Sequence, residues 1–180
     1  MVQQLTQSAA AQYAMPAKRP ARPDVTPAGQ LAEAKLHVVL GYQLAQAAIV
    51  TNGVFIRHAG KPFGLSPVEY TVLTLIAENP GGSQARLARA LAVTAPHITA
   101  IVDRLEARGW IARSRSVDDR RSQALQATRQ GEELARKATQ GIVEAERAAL
   151  STLSAGEQMI LVELLHKVAC ARPAKENAGA

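Results

Sequence analysis

The chain has 180 residues, 47% of them apolar, and a net charge of +6. That is enough apolar material for one buried core with helical extensions, and no apolar run is long enough to span a bilayer as a helix. A basic balance favours polyanionic partners without fixing a fold. The single cysteine, Cys170, excludes an intrachain disulfide and a multi-cysteine zinc site, and it points to a reducing, cytoplasmic compartment.

Residues 1–29 are rich in Ala, Gln and Pro and carry Lys18, Arg19 and Arg22. They read as a flexible arm, either a plain leader or a basic arm that touches a polyanion. No positive-then-apolar signal segment opens the chain. From Gln30 to about Arg57, Leu36, Val39, Leu40, Leu44, Ala47, Ala48 and Val54 recur at helical steps, which predicts a long helix in need of a partner. Gly60-Lys61-Pro62-Phe63-Gly64 is expected to break it.

Ser66-Pro67-Val68-Glu69 predicts the next helix start, with Ser66 as N-cap, Pro67 in the first turn and Glu69 completing a capping box. Its apolar stripe is expected at Val68, Val72, Leu75 and Ile76, and Asn79-Pro80-Gly81-Gly82 ends it. Ser83 caps a short third helix carrying Leu87, Ala88 and Leu91. After a turn at Ala92-Val93, Thr94 caps a fourth, whose inward face is Ile98, Ile101, Val102 and Leu105. Gly109 closes that helix.

The apolar period then changes from 3.6 to 2. Residues 110–115 and 122–127 predict two strands joined by a charged loop, a β-hairpin with a polar tip. Thr128 to about Leu150 is helical again, dented by Gly131 and Gly141. Ser154 and Glu157 box the start of a last helix with its stripe at Ile160, Leu161, Leu164, Leu165 and Val168, and residues 172–180 are expected to fray. The fold class is mainly α with one small β-hairpin.

Two short helices joined by a tight turn present the second one outward, where it can enter a major groove. Here that outward face carries Pro96, His97, Thr99, Ala100, Asp103 and Arg104. From Ser83 to Arg121 there are eight arginines against four acidic residues. The arginine fork suits phosphates, and its flat guanidinium fits a narrow minor groove. A single arginine on such a surface is ordinarily just solvated; a cluster behind a capped helix-turn-helix points to DNA.

The run Asp119-Arg120-Arg121, followed by Leu125-Gln126-Ala127-Thr128-Arg129-Gln130-Gly131, resembles the wing signature of the MarR family. Residues 99–106 and Gly109-Trp110-Ile111 resemble that family's recognition helix and its exit, and Ser66-Pro67-Val68-Glu69-Tyr70 resembles the start of its second helix. The resemblance covers about Gln30 to Cys170. It implies a winged helix-turn-helix at 65–128, dimerisation helices at 30–60 and 129–171, a homodimer, and a palindromic duplex as partner. Carried over by position, Thr94, Pro96, His97, Thr99 and Arg104 would meet the major groove or its phosphates. Arg113, Arg115 and Arg120 would add wing contacts, Arg121 would enter the minor groove, and Asp119 would orient Arg113 or Arg115. Two departures stand out: Ala100 where many members have arginine, and Ala127 where they have a large aliphatic residue.

The resemblance also implies a small-molecule effector. Arg57 beside His58 is a candidate for holding an acid, although cations at a helix C-terminus equally offset its dipole. Tyr42 and Trp110 are candidates for an aromatic lining or for plain core packing. His37 and His166 carry no assigned chemistry, and no cofactor or metal is expected. No nucleophile elbow, phosphate loop or paired-histidine metal motif is present, so an enzyme is not expected. The reading is a repressor released by an aromatic acid or its thioester. The alternatives are a winged helix that binds protein and a redox regulator using Cys170.

Overall fold

In a computed structural model the described residues are 25–115 and 123–172. Most of the N-terminal arm, the hairpin tip and the C-terminal tail lie outside them. The chain forms two compact units divided after Ala47.

In the first unit, Val25 bridges Ala32, turns follow over 34–38, and helix α1 (Leu40–Phe55) begins. Tyr42 donates its hydroxyl to Glu33 at 2.5 Å. The helix expected from Gln30 starts only at Leu40. Positive φ at Gly29 and Gln30 turns the chain, and Leu36, Val38 and Val39 stay exposed, so these residues gain no packing that would offset helix nucleation.

In the second unit the expected break at 60–64 is a widened helical turn instead. Lys61 N–H reaches back to Ile56 O through a π-turn (Ile56–Gly60), a short helix α2 (Lys61–Phe63) follows, and Gly64 at φ +61 ends it. Pro62 lies in the first turn of α2, a position that tolerates proline. Ala59 within the π-turn is fully buried.

Helix α3 (Pro67–Glu78) starts as expected, with the reciprocal Ser66–Glu69 capping box in place. Its buried face differs from the expected stripe: Glu69, Val72, Leu73 and Ile76 turn inward, while Val68 is exposed and Leu75 only half-buried. The box draws Glu69 inward, and Val72, Leu73 and Ile76 follow it at helical spacing. Ser83 caps α4 (Gln84–Leu91), Ala92 in the left-handed region closes it, and α5 (Ala95–Ala107) follows. Ile98, Ile101, Val102 and Leu105 are all buried, so the expected inner face of α5 is the observed one.

Strands β1 (Ile111–Arg115) and β2 (Gln123–Ala127) pair antiparallel, from Ile111 opposite Ala127 to Arg115 opposite Gln123. The hairpin is also tied at one point to the turn between α3 and α4. Gly81 N–H donates to Leu125 O and Leu125 N–H to Gly82 O, each at 2.9 Å. This one-residue bridge has no periodicity by which a sequence could announce it. Helix α6 (Arg129–Ala149) runs unbroken past Gly131 and Gly141, and α7 (Ala155–Cys170) follows its own Ser154–Glu157 capping box. The core joins α3, α5, the hairpin base and α6. Among the described residues, no helix is long and apolar enough to cross a membrane, and no cluster of potential metal ligands occurs.

Candidate nucleic-acid interface

The site is built on α5. One face is closed by aliphatic burial; the other presents Thr94, Ala95, Pro96, His97, Thr99 and Ala100, all exposed. Thr94 takes the extended N-cap conformation, but its hydroxyl makes no capping bond, contrary to expectation. Pro96 in the first turn removes one of the amides such a cap would serve. The Thr94 hydroxyl oxygen at this helix start is therefore not spent on a helix amide. Thr99 Oγ1 sits 2.9 Å from Gln84 Oε1 and 3.0 Å from Ala95 O, which ties the outer face of α5 to the start of α4.

Two arginines expected at the interface have opposite roles in the structure. Arg104 donates from Nε to Glu69 Oε1 at 2.8 Å, with its side chain 54% exposed. Its two outer nitrogens have no partner among the described residues. Arg113 on β1 is forked: Nη1 goes to Glu106 and Nη2 to Asp103, both on α5, and its buried Nε has no partner among the described residues. Arg113 and Arg115 are both expected at the DNA, one of them oriented by Asp119; in the structure the two outer nitrogens of Arg113 each bond a carboxylate of α5, and Asp119 lies outside the described residues. Strand pairing brings Arg113 beside α5, a juxtaposition invisible in sequence.

Glu69 is the residue that sequence reasoning read only as a cap. Its Oε2 accepts from Ser66 N at 2.9 Å and Ser66 Oγ at 2.8 Å, while Oε1 accepts from Arg104. Burial alone would raise its pKa. The bonds from Arg104 and Ser66, with the Arg104 charge, more than offset this and hold the carboxyl below its ordinary range. Arg108, one of the eight arginines from Ser83 to Arg121, is also engaged in the fold. It donates to Gly64 O at 2.7 Å and Phe63 O at 3.0 Å, and its guanidinium carbon lies 3.7 Å from the centre of the Trp110 ring.

Asp119, Arg120 and Arg121 lie outside the described residues, as does the side chain of Arg115. Of the effector candidates in the second unit, Arg57 and His58 are exposed on the π-turn, whereas Trp110 is buried beneath Arg108. Tyr42, in the first unit, is engaged with Glu33. Cys170 is exposed, with Sγ 3.6 Å from His166 Nε2.

Residues 65–123 match the model of the MarR family. A protein of Thauera aromatica, described as a candidate transcriptional regulator for the hcr operon, is 31% identical over 150 residues, or 83% of this chain and 89% of that one. The transcriptional repressor Rv2887 of Mycobacterium tuberculosis is 32% identical, covering 72% of this chain and 92% of that one. Its crystal structure in complex with salicylic acid superposes with a TM-score of 0.58, at 32% identity over 72% of this chain and 95% of that one. The repressor CouR bound to a 23-mer DNA duplex superposes with a TM-score of 0.69, at 31% identity over 77% of this chain and 98% of that one.

Proposed function

The chain is a transcriptional regulator of the MarR family, and from that premise we propose that it is a homodimeric, sequence-specific repressor that binds a palindromic duplex and is released by a small aromatic acid or its thioester. The observation that carries this reading is α5 itself: four buried aliphatic residues anchor it, while Thr94, Pro96, His97 and Thr99 stay exposed along its first turns and Arg104 projects beyond them. A helix so anchored can enter a major groove without disturbing its own core. The DNA-bound state of CouR supports the duplex as target.

Wing contacts from Arg115, Arg120 and Arg121, with Asp119 as an orienting carboxylate, complete the reading. The partner-seeking surface on the second unit is α7. None of its residues is buried, and Met159, Ile160, Val162 and Leu164 are each more than half exposed. A helix with apolar residues exposed this far round its circumference calls for a partner to cover it. The effector reading leans on the salicylic acid complex of Rv2887 and on Arg57 and His58, two exposed donors adjacent in sequence. Trp110 is better assigned to the core.

Duplex binding over a salt series tests the proposal. Neutralised phosphates release counterions, so affinity falls steeply as salt rises. Arg121→Ala is expected to cost about 1–3 kcal/mol of affinity while leaving the dimer intact. A wild-type protein with no salt-dependent duplex binding overturns the reading.

A further inference from the structure

Glu69 has two tasks, one for each carboxylate oxygen. Its Oε2 completes the cap of α3, a task that glutamine performs equally well in such boxes. Its Oε1 reaches across to the recognition helix and takes Arg104 by Nε alone. A guanidinium can meet a phosphate or a guanine edge side-on, through Nε and one Nη, or end-on, through both Nη groups. With Nε occupied at 2.8 Å, the side-on approach is closed and the end-on pair is what remains. The carboxylate also offsets part of the positive charge of Arg104 and repels every approaching phosphate, a cost that bonds to both outer nitrogens offset best.

We infer that Glu69 is a specificity-determining residue of the duplex interface: by holding Arg104 at Nε, it lowers indiscriminate phosphate attraction and reserves the guanidinium for a target that engages both outer nitrogens. Glu69 is a positioning residue; it acts on DNA only through Arg104. The inference rests on the DNA-binding reading above. The contrast with Arg113 supports the division of labour. Of the two arginines tied to carboxylates in this region among the described residues, Arg113 has each Nη on a carboxylate, whereas Arg104 has neither.

The experiment uses the full chain and two duplexes of equal length and composition: one enriched by the wild-type protein from a randomised pool, and a scrambled one. Glu69→Gln keeps the cap and frees Arg104. It is expected to bind the scrambled duplex about threefold tighter or more at low salt, with a steeper salt slope, and to discriminate less between the two duplexes. Glu69→Gln combined with Arg104→Ala is expected to match Arg104→Ala alone, because the effect passes through that side chain. Arg104→Lys, with Glu69 intact, gives a second route if the glutamine variant does not fold. It keeps the charge but loses the fork, so scrambled-duplex affinity should hold while enriched-duplex affinity falls about tenfold. Wild-type discrimination and salt slope in Glu69→Gln, or undiminished discrimination in Arg104→Lys, overturns the inference. Absence of salt-dependent binding by the wild type overturns the DNA reading itself, a distinct result.

Discussion

A Cβ on Gly131 would lie 1.9 Å from the main-chain oxygen of Trp110. That same oxygen accepts the Thr128 N–H at 3.0 Å, and Thr128 Oγ1 donates to Gly109 O at 2.8 Å, so the first turn of α6 is stapled to the start of β1. Glycine at this place in the wing signature is a packing requirement. Gly131→Ala would gain up to about 1 kcal/mol in helix propensity. The clash is with backbone held by two bonds, and displacing it costs about 3 kcal/mol or more. Destabilisation should win. Denaturant unfolding checks it, and an alanine variant as stable as wild type would contradict the close approach.

Arg108 joins the end of α5 to the end of α2 through two carbonyls and covers Trp110. Arg108→Ala should cost about 1–2 kcal/mol of stability. Arg108→Lys should recover less than half, since an ammonium cannot take both carbonyls while lying over the ring. Because the guanidinium is committed to the fold, the salt slope of duplex binding should not change for either variant. A slope reduced by about one would place Arg108 on a phosphate instead.

Glu69 makes stability depend on pH. Its carboxyl is held below the ordinary range in the folded chain, so the folded state binds that proton less tightly than the unfolded state does. The resulting contribution is fully present above the unfolded value of about 4.3 and is lost as pH falls through the lower folded value. Melting temperatures followed from neutral pH into acid should fall less steeply for Glu69→Gln than for wild type. Parallel acid limbs would show that the Arg104 and Ser66 bonds do not favour the ionised form.

Leu164 is 52% exposed on a helix with no buried residue, and its neighbours Ile160, Leu161 and Val168 are exposed as well. Burying such a side chain in a dimer contributes about 1.5–3 kcal/mol per copy, and a charge in its place opposes association. Leu164→Glu should shift sedimentation from dimer to monomer while helix content is retained. A wild-type monomer at micromolar concentration would remove the twofold arrangement on which the repressor reading depends.

What the sequence determined by itself was local. Caps at Ser66, Ser83 and Ser154 each engage an amide three residues on, so they are legible as short strings. The inner face of α5 and the existence of the two hairpin strands follow from periods of 3.6 and 2 for the same reason. Tertiary structure decided whatever depends on residues distant in the chain. It chose which arginines are spent: Arg108 on carbonyls of residues 63 and 64, Arg113 on two carboxylates of α5, and Arg104 only in part, on Glu69. It turned Glu69 inward and Val68 outward, and it started α1 at Leu40. A charge in a sequence has no partner until the fold supplies one. Eight arginines could therefore suggest a polyanion, but only packing could separate the free guanidinium nitrogens from the committed ones.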